Sequence, residues 1–207
     1  MVTRLFAGLI LIAGVVLLAV VTIGGGDGTH GTSTANDSAD EVATTALEPV
    51  RASAPENLGP RMDLVNLDGW LNTDIAELSD LDGKVLLVEM WTFGCHNCKA
   101  RIPHNQTLYA STSRDDFEIV GVHAPEFSYE AELQGIKTAL VDLGVTWPVA
   151  LDTDKTNFRS WQPGGRRFWP RTFVIDQNGD VRYDHIGEGK YEELSQTVNW
   201  LIENPPA

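Results

Sequence analysis

The chain has 207 residues, 43% of them hydrophobic, which is enough for one ordinary domain with a real core plus additional segments. A formal net charge of -14 argues against electrostatic binding to nucleic acid or to anionic lipid. The two cysteines can build neither a disulfide framework nor a four-cysteine zinc site, so their one sensible intramolecular product is a single small-loop disulfide.

Leu5 to Ile23 is an uninterrupted, uncharged apolar run preceded by Arg4 and followed by a polar, acidic stretch. Its length is close to the roughly 20 residues that cross a bilayer, and longer than the roughly 7–15 residues of a signal-peptide core. The flank Ala19-Val20-Val21-Thr22-Ile23-Gly24 has no clean small-x-small cleavage site, and the absence of cysteine here excludes a lipoprotein anchor. The expectation is an uncleaved transmembrane anchor over 1–23, with a cleaved signal peptide as the alternative. Both place the rest of the chain outside the cytoplasm, where disulfide chemistry is permitted. Residues 24–60 are rich in Gly, Ser, Thr, Ala, Asp and Pro without helical or strand period, and read as a disordered extracytoplasmic spacer. The folded domain is then expected over 61–207.

Leu64-Val65-Asn66-Leu67-Asp68-Gly69-Trp70-Leu71 alternates around Asp-Gly and predicts a short β-hairpin. Lys84 to Trp91 has little alternation, as in a central strand covered on both faces. A helix is predicted from His96 to about Ser111, kinked at Pro103. Phe117 to Val122 reads as a second buried strand. In Glu130 to Leu143 the spacing of Leu133, Ile136, Leu140 and Leu143 is helical, and Gly144 is a natural stop. A short strand over Val149 to Leu151 and a short helix over Asp154 to Trp161 follow. Thr172 to Asp176 is a strand, Asn178-Gly179 turns the chain, and Val181 to Ile186 returns. Tyr191, Leu194, Val198 and Leu201 line an amphipathic final helix.

The chemistry concentrates at Cys95-His96-Asn97-Cys98. A C-x-x-C between a predicted strand and a predicted helix reads as a redox pair. At the helix start, unpaired backbone N–H groups and the helix dipole favour a thiolate, which lowers a cysteine pKa from about 8.5 to between about 3.5 and 7.5. Cys98, one turn inward, is within reach of Cys95. As a static staple such a small loop would remove little chain entropy, so the pattern favours a cycling dithiol/disulfide. A His beside the nucleophile would stabilise its charge when protonated. Glu89 falls on the predicted buried strand, where an unpaired carboxylate is expensive and its pKa should rise. Replacing Glu89 by Gln is therefore expected to leave the fold at least as stable.

Trp91, Cys95, Cys98 and Pro103 follow the spacing W-x-x-x-C-x-x-C-x-x-x-x-P, with Glu89 six residues before Cys95. The segment Leu64 to Ile202 thus resembles the thioredoxin-like superfamily, in its extracytoplasmic TlpA/ResA-like branch. It is most similar there to the thioredoxin-like domain of DipZ-type proteins. Trp91-Thr92-Phe93-Gly94-Cys95, Gly69-Trp70-Leu71-Asn72 and Gly121-Val122-His123-Ala124-Pro125-Glu126-Phe127 carry the likeness. The resemblance implies an α/β thioredoxin-like fold: a central mixed sheet with helices on both faces, plus the N-terminal β-hairpin. It implies that Cys95 attacks a partner disulfide and Cys98 resolves the mixed disulfide. Glu89 would move the proton of Cys98, and His96 and Asn97 would tune the reduction potential. Pro170 matches the family's cis-proline, so Trp169 would offer its backbone to a substrate strand, and Trp91 with Trp169 would flank the pair or serve as core. No cofactor beyond the Cys95–Cys98 disulfide and no metal is expected. Protein thiols are the implied substrates, and a membrane thiol carrier of the CcdA type the implied electron source. Two other classes compete with this reading. A copper chaperone would use Cys95, Cys98 and His123 or His104 as soft ligands. A peroxidase would need a lone peroxidatic cysteine in a different motif.

Overall fold

The computed structural model describes residues 53–206. The apolar run at 5–23 and most of the spacer after it lie outside the described residues. Among the described residues no helix is long and apolar enough to cross a membrane.

Six strands form one mixed sheet: β1 (Gly69–Leu71), β2 (Val85–Trp91), β3 (Phe117–His123), β4 (Val149–Leu151), β5 (Arg171–Ile175) and β6 (Val181–Ile186). Their order across the sheet is β1-β4-β3-β2-β5-β6. β2, β3 and β4 run parallel, whereas β5 is antiparallel to β2 and β6 to β5. Four helices accompany them: α1 (His96–Ser111), α2 (Leu133–Asp142), α3 (Thr156–Ser160) and α4 (Tyr191–Glu203). Every residue of β2 and β3 is buried, which explains why both are mostly apolar without strict alternation, with Glu89, Glu118 and His123 as the buried exceptions.

Alternate residues of β2 point to two cores. Val85, Leu87 and Trp91 pack with Cys98, Ile102 and Leu108 of α1, Ile136 and Leu140 of α2, and Leu194, Val198 and Leu201 of α4. Leu86, Val88 and Met90 pack with Phe158 and Trp161, from α3 and its end, and with Leu64, Leu78 and Leu81 of the preceding segment. The expectation of helices on both faces is met, with three on one side and only short α3 on the other.

The predicted hairpin over Leu64 to Leu71 is corrected. Only Gly69–Leu71 is a strand, and it pairs antiparallel with β4 rather than with the residues before it. The intended first arm is held elsewhere: Val65 exchanges two hydrogen bonds of 2.8 Å with the side chain of Asn157. An isolated two-stranded hairpin is marginal in water, and docking one short strand on the open edge of β4 extends an existing sheet instead. The end of the presumed disordered spacer is corrected too. Leu58 N–H donates to Val181 O, Val181 N–H to Gly59 O and Arg61 N–H to Gly179 O, each at 2.8 Å. Arg182 donates to the carbonyls of Pro55 and Glu56, so this segment covers the start of the β6 edge. Ile175 pairs with Leu86 near the start of β2, whereas the cysteines follow its other end. The chain therefore enters the domain at the pole opposite Cys95.

The helix expected from Glu130 begins at Leu133, because Ser128–Ala131 forms a separate 3-10 turn. The Asn178-Gly179 turn forms as expected, with Gly179 at φ +86° and the Asp176 carboxylate accepting from the N–H groups of Asn178 and Asp180 at 3.0 Å.

Candidate active site

Cys95 caps the N-terminus of α1 in an extended conformation, and its sulfur accepts the backbone N–H of Cys98 at 3.3 Å. It is half-buried, whereas Cys98 is fully buried. This difference separates their chemistry. The Cys95 thiol is lowered to about 7, chiefly through its hydrogen bond with Cys98, with help from the backbone N–H groups of Cys98 and Asn97 and against partial burial and the charge of Glu126. The Cys98 thiol is pushed far up by burial, by its hydrogen bond to Cys95 and by the negative charges of Glu89 and Cys95. His96 and Asn97 are exposed at the first turn. The lowering at Cys95 comes from Cys98 and backbone groups, with His96 not among its causes.

Glu89 reaches the same region from β2, and the picture of an unpaired carboxylate is corrected. Asn105 Nδ2 donates to its Oε2 at 2.5 Å, and Arg101 Nε lies 3.6 Å from its Oε1. Arg101 is wholly buried and also donates to the carbonyl oxygens of Gly187 and Gly189. Burial raises the Glu89 pKa, while Arg101 and Asn105 pull against it. The expected direction therefore holds for a carboxyl that has two partners. Arg101 and Asn105 escaped the sequence reading. The available signal was their placement three and seven residues after Cys98, on the helical face that Cys98 and Ile102 turn toward β2.

Trp91 is 4% exposed and packs in the core. Gly121 permits this, since an added Cβ there would lie 2.7 Å from Trp91 Nε1. The Trp169-Pro170 bond is cis, as the resemblance implied. Trp169 is half-buried, stacks on Phe158 at 4.0 Å, and donates its indole N–H to Ala124 O at 2.9 Å. Arg166 and Arg167 are exposed.

That last bond ties the cis-proline loop to a wall not foreseen from the sequence, the segment 124–131 after β3. Buried Glu130 anchors it, its Oε2 accepting the backbone N–H groups of Glu126 at 2.5 Å and Phe127 at 2.9 Å. Its Oε1 lies against Gly94, where an added Cβ would sit only 1.9 Å away, so any larger residue before Cys95 would have to displace the Glu130 carboxylate. His123, at the end of β3, is buried, stacks on Phe93 at 5.6 Å and is pushed down to about 4 by burial, despite the opposing charge of Glu130. His104 stacks on Tyr191 at 4.6 Å with its Nε2 3.4 Å from Ser195 Oγ. Among the described residues no group of three or more His, Cys, Asp or Glu side chains is placed to hold a metal ion.

The Redoxin family matches residues 70–201, spanning all six strands except Gly69 and nearly all of α4. The chain belongs to the Redoxin family. This redoxin domain is 33% identical over 156 residues to Protein DipZ of Mycobacterium bovis, a match covering 74% of this chain and 22% of that protein. The chain thus matches less than a quarter of the length of that relative. It is 24% identical over 143 residues to the thiol-disulfide oxidoreductase YkuV of Bacillus subtilis, covering 69% of this chain and 94% of that one. In fold it is similar to a thiol-disulfide isomerase from Corynebacterium glutamicum, with TM-score 0.59 and 20% identity, covering 71% of this chain and 98% of that one.

Proposed function

We propose that this redoxin domain is a thiol–disulfide oxidoreductase that exchanges a Cys95–Cys98 dithiol/disulfide with protein thiols. The observation that carries the reading is the split between the two cysteines, one half-buried with a thiol near 7 and one buried with a thiol far above its usual range. The Cys95 thiolate attacks a substrate disulfide, which breaks the substrate S–S bond, forms a mixed disulfide and releases one substrate thiolate. Cys98 then gives up its proton and attacks Cys95, closing Cys95–Cys98 and releasing the second substrate thiol. The substrate gains two electrons and the pair loses two. The charge of Glu89 is felt at Cys98, and Glu89 accepts the proton that Cys98 loses. Pro170 and the backbone of Trp169 receive the substrate strand. In this reading the apolar run at 5–23 anchors the protein outside the cytoplasm, and a membrane thiol carrier of the CcdA type re-reduces it. The likeness to the thiol-disulfide oxidoreductase YkuV supports the class of reaction and leaves the electron source to be tested.

The test is redox equilibration of the purified domain against thiol buffers, with the thiol state read by mass. A Cys95 value of about 7 is like that of thioredoxin, not like the strongly acidic cysteine of a dedicated oxidant. The expected result is one reversible two-electron transition lying nearer about -270 mV than about -120 mV. A pair that stays oxidised across that range, or never forms an intramolecular disulfide, removes the proposal.

A further inference from the structure

The mechanism above leaves the outer face of the 124–131 wall without a role. Phe127 and Tyr129 are 55% and 57% exposed, unusual for large aromatic side chains, and they stack on each other at 5.9 Å with an interplanar angle of 6°. Tyr129 also meets Phe93 edge-on at 6.0 Å, and Phe93 stands two residues before Cys95. Glu126 adjoins the aromatic pair and is exposed, and its negative charge reaches the Cys95 thiol. Glu130 braces the wall from within through the backbone N–H groups of Glu126 and Phe127, and its Oε1 lies against Gly94 of the redox loop. The wall thus carries an aromatic step and an exposed carboxylate whose charge is felt at the sulfur.

From this juxtaposition of Glu126, Phe127 and Tyr129 beside Cys95, we infer that the wall docks an extended substrate segment carrying a Lys or Arg next to its cysteine and an apolar or aromatic residue nearby. The inference rests on the thiol-exchange reading and names its substrate class. Charge complementarity selects the occupant. An acidic segment would meet Glu126 and a chain of net charge -14, whereas a basic one is attracted by both. A cation placed against Glu126 also offsets the one charge that holds the Cys95 thiol up, so a matching substrate favours the thiolate that attacks it. The apolar residue covers Phe127 and Tyr129, which supply large contact area with few rotors to fix.

The experiment uses the Cys98→Ser chain and synthetic peptides whose cysteine is capped as a mixed disulfide with thionitrobenzoate. Cys95 attacks the peptide sulfur, the Cys95–peptide disulfide forms, and the coloured thionitrobenzoate leaves, so one disulfide replaces another. Four peptides pair Lys or Glu beside the cysteine with Phe or Ser two residues on. The Lys peptides should react about fivefold faster than the Glu peptides, as expected for one partly screened charge pair. Adding Glu126→Gln should bring that ratio close to one, whereas adding Glu132→Gln should leave it unchanged. Because the ratio compares two substrates of one protein, a change in Cys95 acidity cancels. Adding Phe127→Ser with Tyr129→Ser should slow the Phe peptides and spare the Ser peptides. A Lys/Glu ratio that survives Glu126→Gln overturns the inference, since the overall charge of the chain would then account for it. So does equal slowing of Phe and Ser peptides. Titration with the same peptides carrying serine for cysteine separates the two readings. If no peptide reacts but the serine peptides keep the Lys and Phe preference, the thiol reading fails and the docking surface stands; loss of that preference overturns the surface itself.

Discussion

Replacing Cys98 by serine is expected to turn the protein into a trap. Cys95, with its thiol near 7, still attacks substrate disulfides, but the mixed disulfide has no neighbouring thiol to resolve it. Multiple-turnover exchange should fall about a thousandfold or more, because an oriented intramolecular group with a very high effective concentration is replaced by whatever thiol is in solution. Covalent adducts should accumulate on the Cys98→Ser chain and disappear on adding reductant. Cys95→Ser should abolish exchange without accumulating adducts, because the remaining thiol is buried and far above its usual range. Non-reducing electrophoresis with mass identification of the linked cysteine checks both variants. Adducts on Cys98 in the Cys95→Ser chain would reverse the assignment of attack and resolution.

Glu89→Gln should slow the resolving step by about a hundredfold to ten-thousandfold, the usual range for a positioned proton-transfer group. The initial attack by Cys95 should change far less. Stability should move differently. Burial raises the folded-state pKa of Glu89 above its ordinary 4.5, so the folded chain holds this proton more tightly than the unfolded chain. The stability that Glu89 contributes is therefore complete below about the ordinary carboxyl value and is lost as pH rises through the raised one. Glutamine does not titrate, so the variant should gain on the parent as pH rises over that window, although at every pH it leaves the buried Arg101 guanidinium without its carboxylate, which opposes that gain. Arg101→Met is the companion. Removing the buried guanidinium takes away the main opposing charge, so Glu89 should hold its proton to higher pH, and the pH profile of the resolving step should move upward. Single-turnover kinetics across pH, with urea unfolding alongside, separates these outcomes. Unchanged resolution in Glu89→Gln would leave Glu89 as a structural partner of Arg101 alone.

The parts of this machine that depend on local chemistry were legible in the sequence. A strand buried on both faces reads as Val85-Leu86-Leu87-Val88, and a cysteine that caps a helix reads from its position, so α1 begins and ends where the pattern put it. The cis Trp169-Pro170 bond followed from the family resemblance alone, since local chemistry favours trans even before proline. What failed depended on partners distant in the chain. Val65 was expected to pair within a hairpin, yet its backbone groups go to Asn157, and no local pattern encodes that competition. Glu89 was expected to stand alone because neither Arg101 nor Asn105 looks unusual on a helix, and only the crossing of α1 over β2 brings them to it. Glu130 reads as an ordinary first-turn acid of a surface helix. Its burial against Gly94 follows from the 3-10 turn that precedes α2.

The proposed chemistry depends on a division of labour between the two thiols, and alkylation of the reduced chain against pH measures it. With the modified residue identified by mass, Cys95 should reach half of its limiting rate near pH 7. Cys98, buried and pushed far up, should stay unmodified well past the pH at which Cys95 is saturated. Two cysteines that react with the same pH dependence, or a Cys98 that reacts first, would contradict it.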